Sequence, residues 1–275
     1  MGRQTGEVRS PAFAVWTAAK RAVRAGVVEP LRRRVDEWRF GACLGRLRAG
    51  DPLDRELVTS LRTTWGNDGF AADASYILRM AEEVERSSGP ILECGTGVTT
   101  LIAAVLAERR GRSLWCLEQD ADWLARIEGA LARYRIGNVR VLHTPLRSYG
   151  DYVWYDIDAC ALPSSFDLVL CDGPFVHERW GVPFQQWRYG LMPVLGARGV
   201  QFAKVLLDDV SEPRAAETFH RWAVEFQTHF HVMRAEDGDC ALALHGGRMG
   251  QTKSSEGGGW LRKAVGLAVK PYAPD

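Results

Sequence analysis

The chain has 275 residues, of which 46% are hydrophobic and 25% charged, and its net charge is +1. This composition is typical of a globular protein and excludes a disordered, collagen-like or coiled-coil chain. No apolar run approaches the roughly 18 residues that a membrane-spanning helix needs, and no apolar signal-peptide stretch follows the first arginines. The six cysteines lack the spacing of a zinc site. We therefore predict a cytoplasmic protein with reduced thiols and no transmembrane segment.

The charge is distributed unevenly along the chain. Residues 1–50 hold 11 Lys/Arg against 4 Asp/Glu, net +7, and residues 246–275 hold 5 against 2, net +3. Residues 51–245 hold 19 against 28, net −9. An acidic body with basic ends argues against nucleic acid as the partner. The basic ends leave weak peripheral contact with a membrane open.

The first 50 residues predict two helices with apolar stripes at helical spacing. The stripes are Trp16, Ala19, Val23 and Val27 in the first helix, and Leu31, Val35, Trp38 and Ala42 in the second. We expect the second stripe to pack on the body of the protein or on a second subunit, which would give a homo-oligomer. The alternative is a surface helix attracted to acidic lipid or nucleic acid through the arginines at 32–34 and 39.

Two further helices are predicted near 53–63 and 70–84. From residue 90 onwards, predicted strands and helices alternate. Strands are predicted at 91–94, 113–117, 139–142, 166–171 and 201–207, helices at 99–108, 120–134 and near 212–224, and a closing antiparallel hairpin at 226–233 and 239–244. This alternation predicts an α/β, doubly wound, mostly parallel sheet. We divide the chain into a helical extension (1–89), an α/β domain (90–245), and a flexible linker with a short basic segment (246–275).

A glycine-rich turn follows the first strand of the α/β region. The run Glu93-Cys94-Gly95-Thr96-Gly97 lets the backbone approach a ligand closely, and the next helix presents its N-terminal NH groups near Thr99 and Thr100. Glu118 ends the second strand, where an acid can accept hydrogen bonds from ribose hydroxyls. These features predict a nucleoside-containing cofactor.

The third glycine of a dinucleotide fingerprint is replaced by Thr100. A nucleoside that carries an amino acid therefore fits better than a dinucleotide. Its ammonium can reach Glu93, and its carboxylate can bind the NH groups or hydroxyls near Thr99 and Thr100.

Two further motifs follow downstream, Asp-Leu-Val-Leu-Cys-Asp-Gly-Pro (167–174) and Leu-Leu-Asp-Asp-Val (206–210). With the glycine-rich turn and Glu118, residues 90–245 resemble the class I S-adenosylmethionine-dependent methyltransferases. The resemblance implies a seven-stranded Rossmann-like sheet with an antiparallel last strand. It implies that the turn residues Gly95, Thr96 and Gly97 line the cofactor, that Glu93 faces its amino group, and that Glu118 holds its ribose. Many members carry an acid after the third strand to bind adenine; this sequence has none there, so Thr144 or a nearby carbonyl would serve.

Three aspartates follow two strands that a parallel sheet would place side by side. Asp172 ends one strand, and Asp208 and Asp209 end the next. Their repulsion would be relieved by a hard divalent cation, and the arrangement resembles the metal-dependent catechol O-methyltransferase type, which holds magnesium there. The alternative is that Asp208 caps the following segment, Asp209 pairs with Arg214, and Asp172 positions cofactor or substrate.

His177 lies five residues beyond Asp172 and is a candidate general base; the alternative is an ordinary loop histidine. We predict a methyltransferase that uses S-adenosylmethionine, with Mg²⁺ as an optional cofactor, on a hydroxyl of a small-molecule acceptor, with Asp172 or His177 as base. The alternatives are an NAD(P)-linked oxidoreductase and a non-catalytic methyltransferase-like binding module.

Overall fold

The computed structural model describes residues 28–66, 71–158, 160–183, 186–211 and 215–244. The predicted helix at 16–27, the segment 246–275 and Arg214 lie outside these residues. The helices are α1 (Glu29–Ala49), α2 (Arg55–Trp65), α3 (Ala74–Arg86), α4 (Val98–Glu108), α5 (Ala121–Arg133), α6 (Leu191–Ala197) and α7 (Ala216–Phe226). The strands are β1 (Ile91–Cys94), β2 (Leu114–Glu118), β3 (Val139–His143), β4 (Leu146–Ser148), β5 (Val153–Tyr155), β6 (Ser165–Cys171), β7 (Gln201–Leu207), β8 (His229–Met233) and β9 (Cys240–Leu244).

Seven strands form one mixed sheet in the order β3-β2-β1-β6-β7-β9-β8. The first five strands in this order, β3 to β7, run parallel to one another, and β9 is antiparallel to both β7 and β8. The predicted doubly wound α/β sheet and the antiparallel last strand are confirmed. The strand order changes direction at β1, so the tips of β1 and β6 border the crevice in which such sheets bind ligands.

Alternate side chains of the strands enter two hydrophobic cores, one on each face of the sheet. Helices α1–α5 cover the face of Ile91, and α6 and α7 cover the face of Leu92. Helix starts follow their caps: the Asp54 carboxylate accepts from the amide of Leu57, and that of Asp120 accepts from the amide of Trp123. The domain bounds at residues 89 and 245 remain predictions.

The sequence did not predict the antiparallel pair β4–β5 or the short helix α6. Both lie in stretches for which no strand or helix was predicted, and Trp154 and Tyr155 of β5 are fully buried core residues. In the described residues, no helix is long and apolar enough to cross a membrane. All six cysteines are free.

The α1 stripe does not pack on the body, the first of its two predicted partners, and packing on a second subunit remains a prediction. Leu31, Val35 and Trp38 are exposed, whereas Phe40 and Leu44 on the opposite side of the helix enter the core. Each face is apolar enough to be buried, so helical periodicity alone could not choose between them.

Candidate active site

The glycine-rich turn at the tip of β1 is built by close contact with the loop after β6. Gly95 has φ +88°, and a Cβ there would lie 2.9 Å from the Cα and N of Gly173. The Gly173 amide donates to the Cys94 carbonyl at 2.6 Å. Only glycine combines this left-handed conformation with this spacing, so the two loops meet backbone to backbone.

Glu93 is a buried carboxylate beneath this turn. It points from β1 towards α4, where the Thr99 hydroxyl donates to its Oε1 at 2.7 Å, and the Cys116 thiol lies 3.3 Å from its Oε2. Burial raises the pKa of Glu93 to about 7, against the hydrogen bonds, which lower it. In the described part of the chain no lysine or arginine pairs with Glu93, so the carboxylate is suited to a cationic ligand group.

Cys94 of β1 pairs with Leu117 of β2, and Glu118 is the next residue of β2. Glu93 and Glu118 therefore both lie at the carboxyl ends of these neighbouring strands, here called the carboxyl edge of the sheet. Its Oε2 accepts from the hydroxyl and the amide of Thr96 at 2.5 and 3.2 Å, and its Oε1 accepts from the Asp120 amide at 2.9 Å. The Thr96 carbonyl in turn accepts from the Trp123 indole at 2.8 Å. These bonds fix the turn and orient Glu118 at the tip of β2.

Thr100 and Thr144, like Thr96 and Thr99, use their hydroxyls within the protein. Thr100 Oγ1 accepts from the Gly97 amide at 2.9 Å and so caps α4. Thr144 is fully buried, its amide donates to the Glu118 carbonyl at 2.7 Å, and its hydroxyl faces main-chain carbonyls. Thr144 thus joins the ends of β2 and β3, and its hydroxyl is directed at the backbone.

A side chain that the sequence did not single out crosses this edge. Gln119 Nε2 donates to the carbonyl of Phe175 at 2.6 Å, joining the tip of β2 to the loop after β6. Because β1 lies between β2 and β6, this bond spans the end of β1 and the Gly95 turn. No local pattern marks a glutamine for this role, since only the strand order brings its partner within reach.

The three aspartates meet at the tips of β6 and β7 as predicted, but an arginine lies with them. Arg188 Nη2 is 3.6 Å from Asp172 Oδ1 and 3.7 Å from Asp209 Oδ2, and Nη1 donates to the Pro174 carbonyl at 2.9 Å. Burial, opposed by Arg188, raises the pKa of Asp172 to about 6. Burial and then the charge of Asp172 raise the pKa of Asp208 well above its ordinary value.

This arrangement does not fit a magnesium ion. The guanidinium of Arg188 already supplies positive charge between Asp172 and Asp209, which offsets part of the repulsion that a cation was predicted to relieve. Among the described residues no group of three or more His, Cys, Asp and Glu side chains is arranged to hold a metal. Sequence reasoning missed Arg188 because it precedes α6, far along the chain from both carboxylates.

His177 is exposed and caps a short 3₁₀ helix (Glu178–Trp180). Its Nδ1 accepts from the Arg179 amide at 3.1 Å, and among the described residues it forms no hydrogen bond or ion pair with Asp172. Beside the Asp172 loop, the rings of Phe175 and Trp187 meet edge to face at 5.4 Å, and Phe175 is half exposed. These two rings form an apolar surface beside the loop that carries Asp172.

The fold is that of the class I methyltransferases. The chain is similar to the structure of a Staphylococcus aureus protein provisionally assigned as a caffeoyl-CoA O-methyltransferase (TM-score 0.51, 11% identity, 69% of this chain and 92% of that chain). It is also similar to the SAH-bound methyltransferase PaMTH1 of Podospora anserina (TM-score 0.49, 14% identity, 70% and 85%). No family model and no curated protein sequence matches the chain.

Proposed function

We propose that this protein is an S-adenosylmethionine-dependent methyltransferase that acts on a hydroxyl group of a small molecule. The observation that carries the proposal is the buried Glu93 carboxylate, which sits at the Gly95 turn with no cationic partner in the described residues. A buried acid without a cation is costly, so its presence is best explained by a ligand that brings the cation. The ammonium of S-adenosylmethionine is such a group.

The residues at the edge of the sheet fit the rest of this cofactor. Gly95 and Gly97 keep side chains out of the turn, and Glu118, already oriented by Thr96, is placed to accept from ribose hydroxyls. The Gln119 bond to Phe175 would have to open or shift when the crevice is filled. When bound, S-adenosylmethionine supplies a methyl group activated by its sulfonium.

Asp172 is the proposed general base. A pKa of about 6 leaves it ionised at neutral pH, and it can take the proton of an acceptor hydroxyl as that oxygen becomes the nucleophile. Arg188, within 3.6 Å of Asp172, keeps this pKa from rising further and offers a positive charge to the developing alkoxide or phenolate. Phe175 and Trp187 are placed to pack against an apolar or aromatic acceptor.

Isothermal titration of the wild-type protein with S-adenosylmethionine and with NAD separates the predicted classes. We expect heat with the first ligand only, and a loss of affinity in Glu118→Gln but not in Glu128→Gln, which changes an exposed acid on α5. Binding of NAD instead would favour the oxidoreductase alternative. Binding of neither would favour a non-catalytic module.

A methyl-transfer assay with radiolabelled cofactor and a panel of hydroxylated aromatic and aliphatic compounds tests the acceptor class. We expect Asp172→Asn to lower kcat while leaving the affinity for S-adenosylmethionine within about twofold, because a general base contributes roughly 10²–10⁴ to the rate. His177→Ala is the matched control and is expected to retain activity. Transfer only to amines would refute the assignment of an oxygen acceptor.

A further inference from the structure

Helix α1 carries two apolar faces, and only one of them is covered by the described protein. Phe40, Leu44 and Leu47 are each at most 1% exposed and enter the core. On the other side, Leu31, Val35 and Trp38 are 56%, 46% and 73% exposed. Their spacing of four and three residues makes them a continuous stripe, here called the outer face of α1.

The exposure of the outer face does not come from a loosely attached helix. The Tyr134 hydroxyl donates to the Glu37 carbonyl at 3.1 Å, and Arg48 Nε donates to Glu108 at 3.0 Å. A Cβ on Gly41 would lie 3.1 Å from the Tyr134 ring, so helix and ring are in close contact. The helix is therefore fixed to the body while Trp38 stays exposed.

Positive charge borders the outer face, and the acids of α1 lie elsewhere. At 100° per residue, Arg34 and Arg39 fall on the two margins of the stripe. Asp36 and Glu37 fall towards the core side; Asp36 lies 3.8 Å from Arg32, and Glu37 lies 2.7 Å from Arg133. The outer face thus presents an apolar centre between arginines.

We propose that the outer face of α1 docks on the surface of an anionic phospholipid bilayer. Leucine, valine and tryptophan side chains insert at the headgroup boundary, and arginines on both margins pair with lipid phosphates while their stems cover apolar surface. Charge complementarity and the apolar stripe together favour this surface as the occupant, whether or not the protein transfers methyl groups.

Other occupants of the outer face match its charge less well. A second copy would bring the arginines of two α1 helices together. Residues 1–27 hold five Lys/Arg and one Asp/Glu, so they too carry the same sign as the margins. Nucleic acid would use the arginines but not the apolar centre, because phosphate contacts dominate its non-specific binding.

Co-sedimentation of the full chain with sucrose-loaded vesicles tests the proposal. We expect binding to vesicles made of equal parts phosphatidylcholine and phosphatidylglycerol, and little binding to phosphatidylcholine alone. The triple variant Leu31→Ser/Val35→Ser/Trp38→Ser should bind about tenfold more weakly, because it loses the inserted apolar groups. Arg34→Glu/Arg39→Glu should also lose about tenfold, and the wild-type binding should weaken in high salt.

Two matched controls change equally exposed residues elsewhere. Val224→Ser on α7, where the valine is 67% exposed, and Arg110→Glu beyond the end of α4 should bind like the wild type. Circular dichroism checks that every variant is folded. Since the altered residues lie outside the candidate active site, binding of S-adenosylmethionine should be the same in all of them.

Four results would overturn the proposal. The first is no difference between anionic and neutral vesicles, or between the wild type and the triple variant. The second is a concentration-dependent dimer in sedimentation velocity that the triple variant abolishes. The third is a thiol introduced by Val35→Cys that reacts far more slowly, without vesicles, than one introduced by Val224→Cys, because the face would then be covered by the protein itself. The fourth is binding to duplex DNA or RNA that depends on Arg34 and Arg39 in a protein that ignores vesicles.

Discussion

Glu93→Gln is expected to stabilise the ligand-free protein and to weaken its binding of S-adenosylmethionine. Burial raises the pKa of Glu93 from 4.5 to about 7, even though the Thr99 hydroxyl and the Cys116 thiol contact the carboxylate. The unfolded chain therefore releases this proton near pH 4.5 and the folded chain near pH 7. Because the folded state holds the proton longer, this group lowers the stability as the pH rises between these values.

The expected gain in stability depends on the pH. A pKa difference of this size amounts to about 3 kcal/mol at pH 8, since each pKa unit corresponds to about 1.4 kcal/mol. Glutamine keeps the shape of the side chain and cannot ionise, so Glu93→Gln should recover up to about 3 kcal/mol at pH 8 and very little at pH 4.5. The raised pKa also predicts that the affinity of the wild type for S-adenosylmethionine increases as the pH rises through 7.

The loss of affinity should reach at least about tenfold at pH 8, because a charge-assisted hydrogen bond to the ligand ammonium is removed. Urea unfolding and isothermal titration, each at two pH values, measure the two effects. Glu83→Gln is the matched control. Glu83 is equally buried but pairs with Lys204 at 2.6 Å and Arg79 at 2.7 Å, so its loss should destabilise the protein by about 3 kcal/mol. Unchanged affinity in Glu93→Gln would refute the role of this carboxylate.

Three further predictions follow from the geometry of the same edge. Gly95→Ala should destabilise the protein by about 3 kcal/mol and abolish cofactor binding, measured by urea unfolding and titration, because a left-handed alanine would also press on the Gly173 backbone. Arg188→Met should be less stable than the wild type at pH 8 and approach it at pH 5 in thermal unfolding, since the neighbouring carboxylates lose their counter-charge and protonate on acidification. Gln119→Ala should speed cofactor association about fivefold in stopped-flow measurements, because a bond worth roughly 1 kcal/mol no longer has to open.

The sheet could be predicted from the sequence because its signals are local. Each parallel strand is a short apolar run bounded by turn residues, and the observed strands 91–94 and 201–207 have the predicted bounds. The juxtaposition of Glu93 and Glu118 also followed, since both lie at strand ends on one edge of a parallel sheet.

Contacts between segments distant in the chain could not be predicted. Arg188 reaches Asp172 only because the turn before α6 returns to the tip of β6, and no spacing in the sequence encodes that return. Three carboxylates without a visible partner suggested a metal, whereas in the structure a guanidinium lies beside two of them, Asp172 and Asp209. In the same way, the second apolar face of α1 was concealed by the first, because Trp38 and Phe40 are equally good core residues.

The distribution of charge at the strand tips favours one cofactor class over the other. Five acids lie at the carboxyl ends of the parallel strands: Glu93, Glu118, Asp172, Asp208 and Asp209. Within the described residues, Arg188 is the arginine that contacts acids of this group. A dinucleotide would bring its pyrophosphate, with further negative charge, against the acid of the glycine-rich turn, and like charges in a partly buried site repel strongly. S-adenosylmethionine instead carries two positive groups, a sulfonium and an ammonium, and only one negative group, its carboxylate. Its binding would therefore reduce the net negative charge at the strand tips rather than increase it. The same acids that make the empty site costly are therefore the groups that would select a cationic nucleoside.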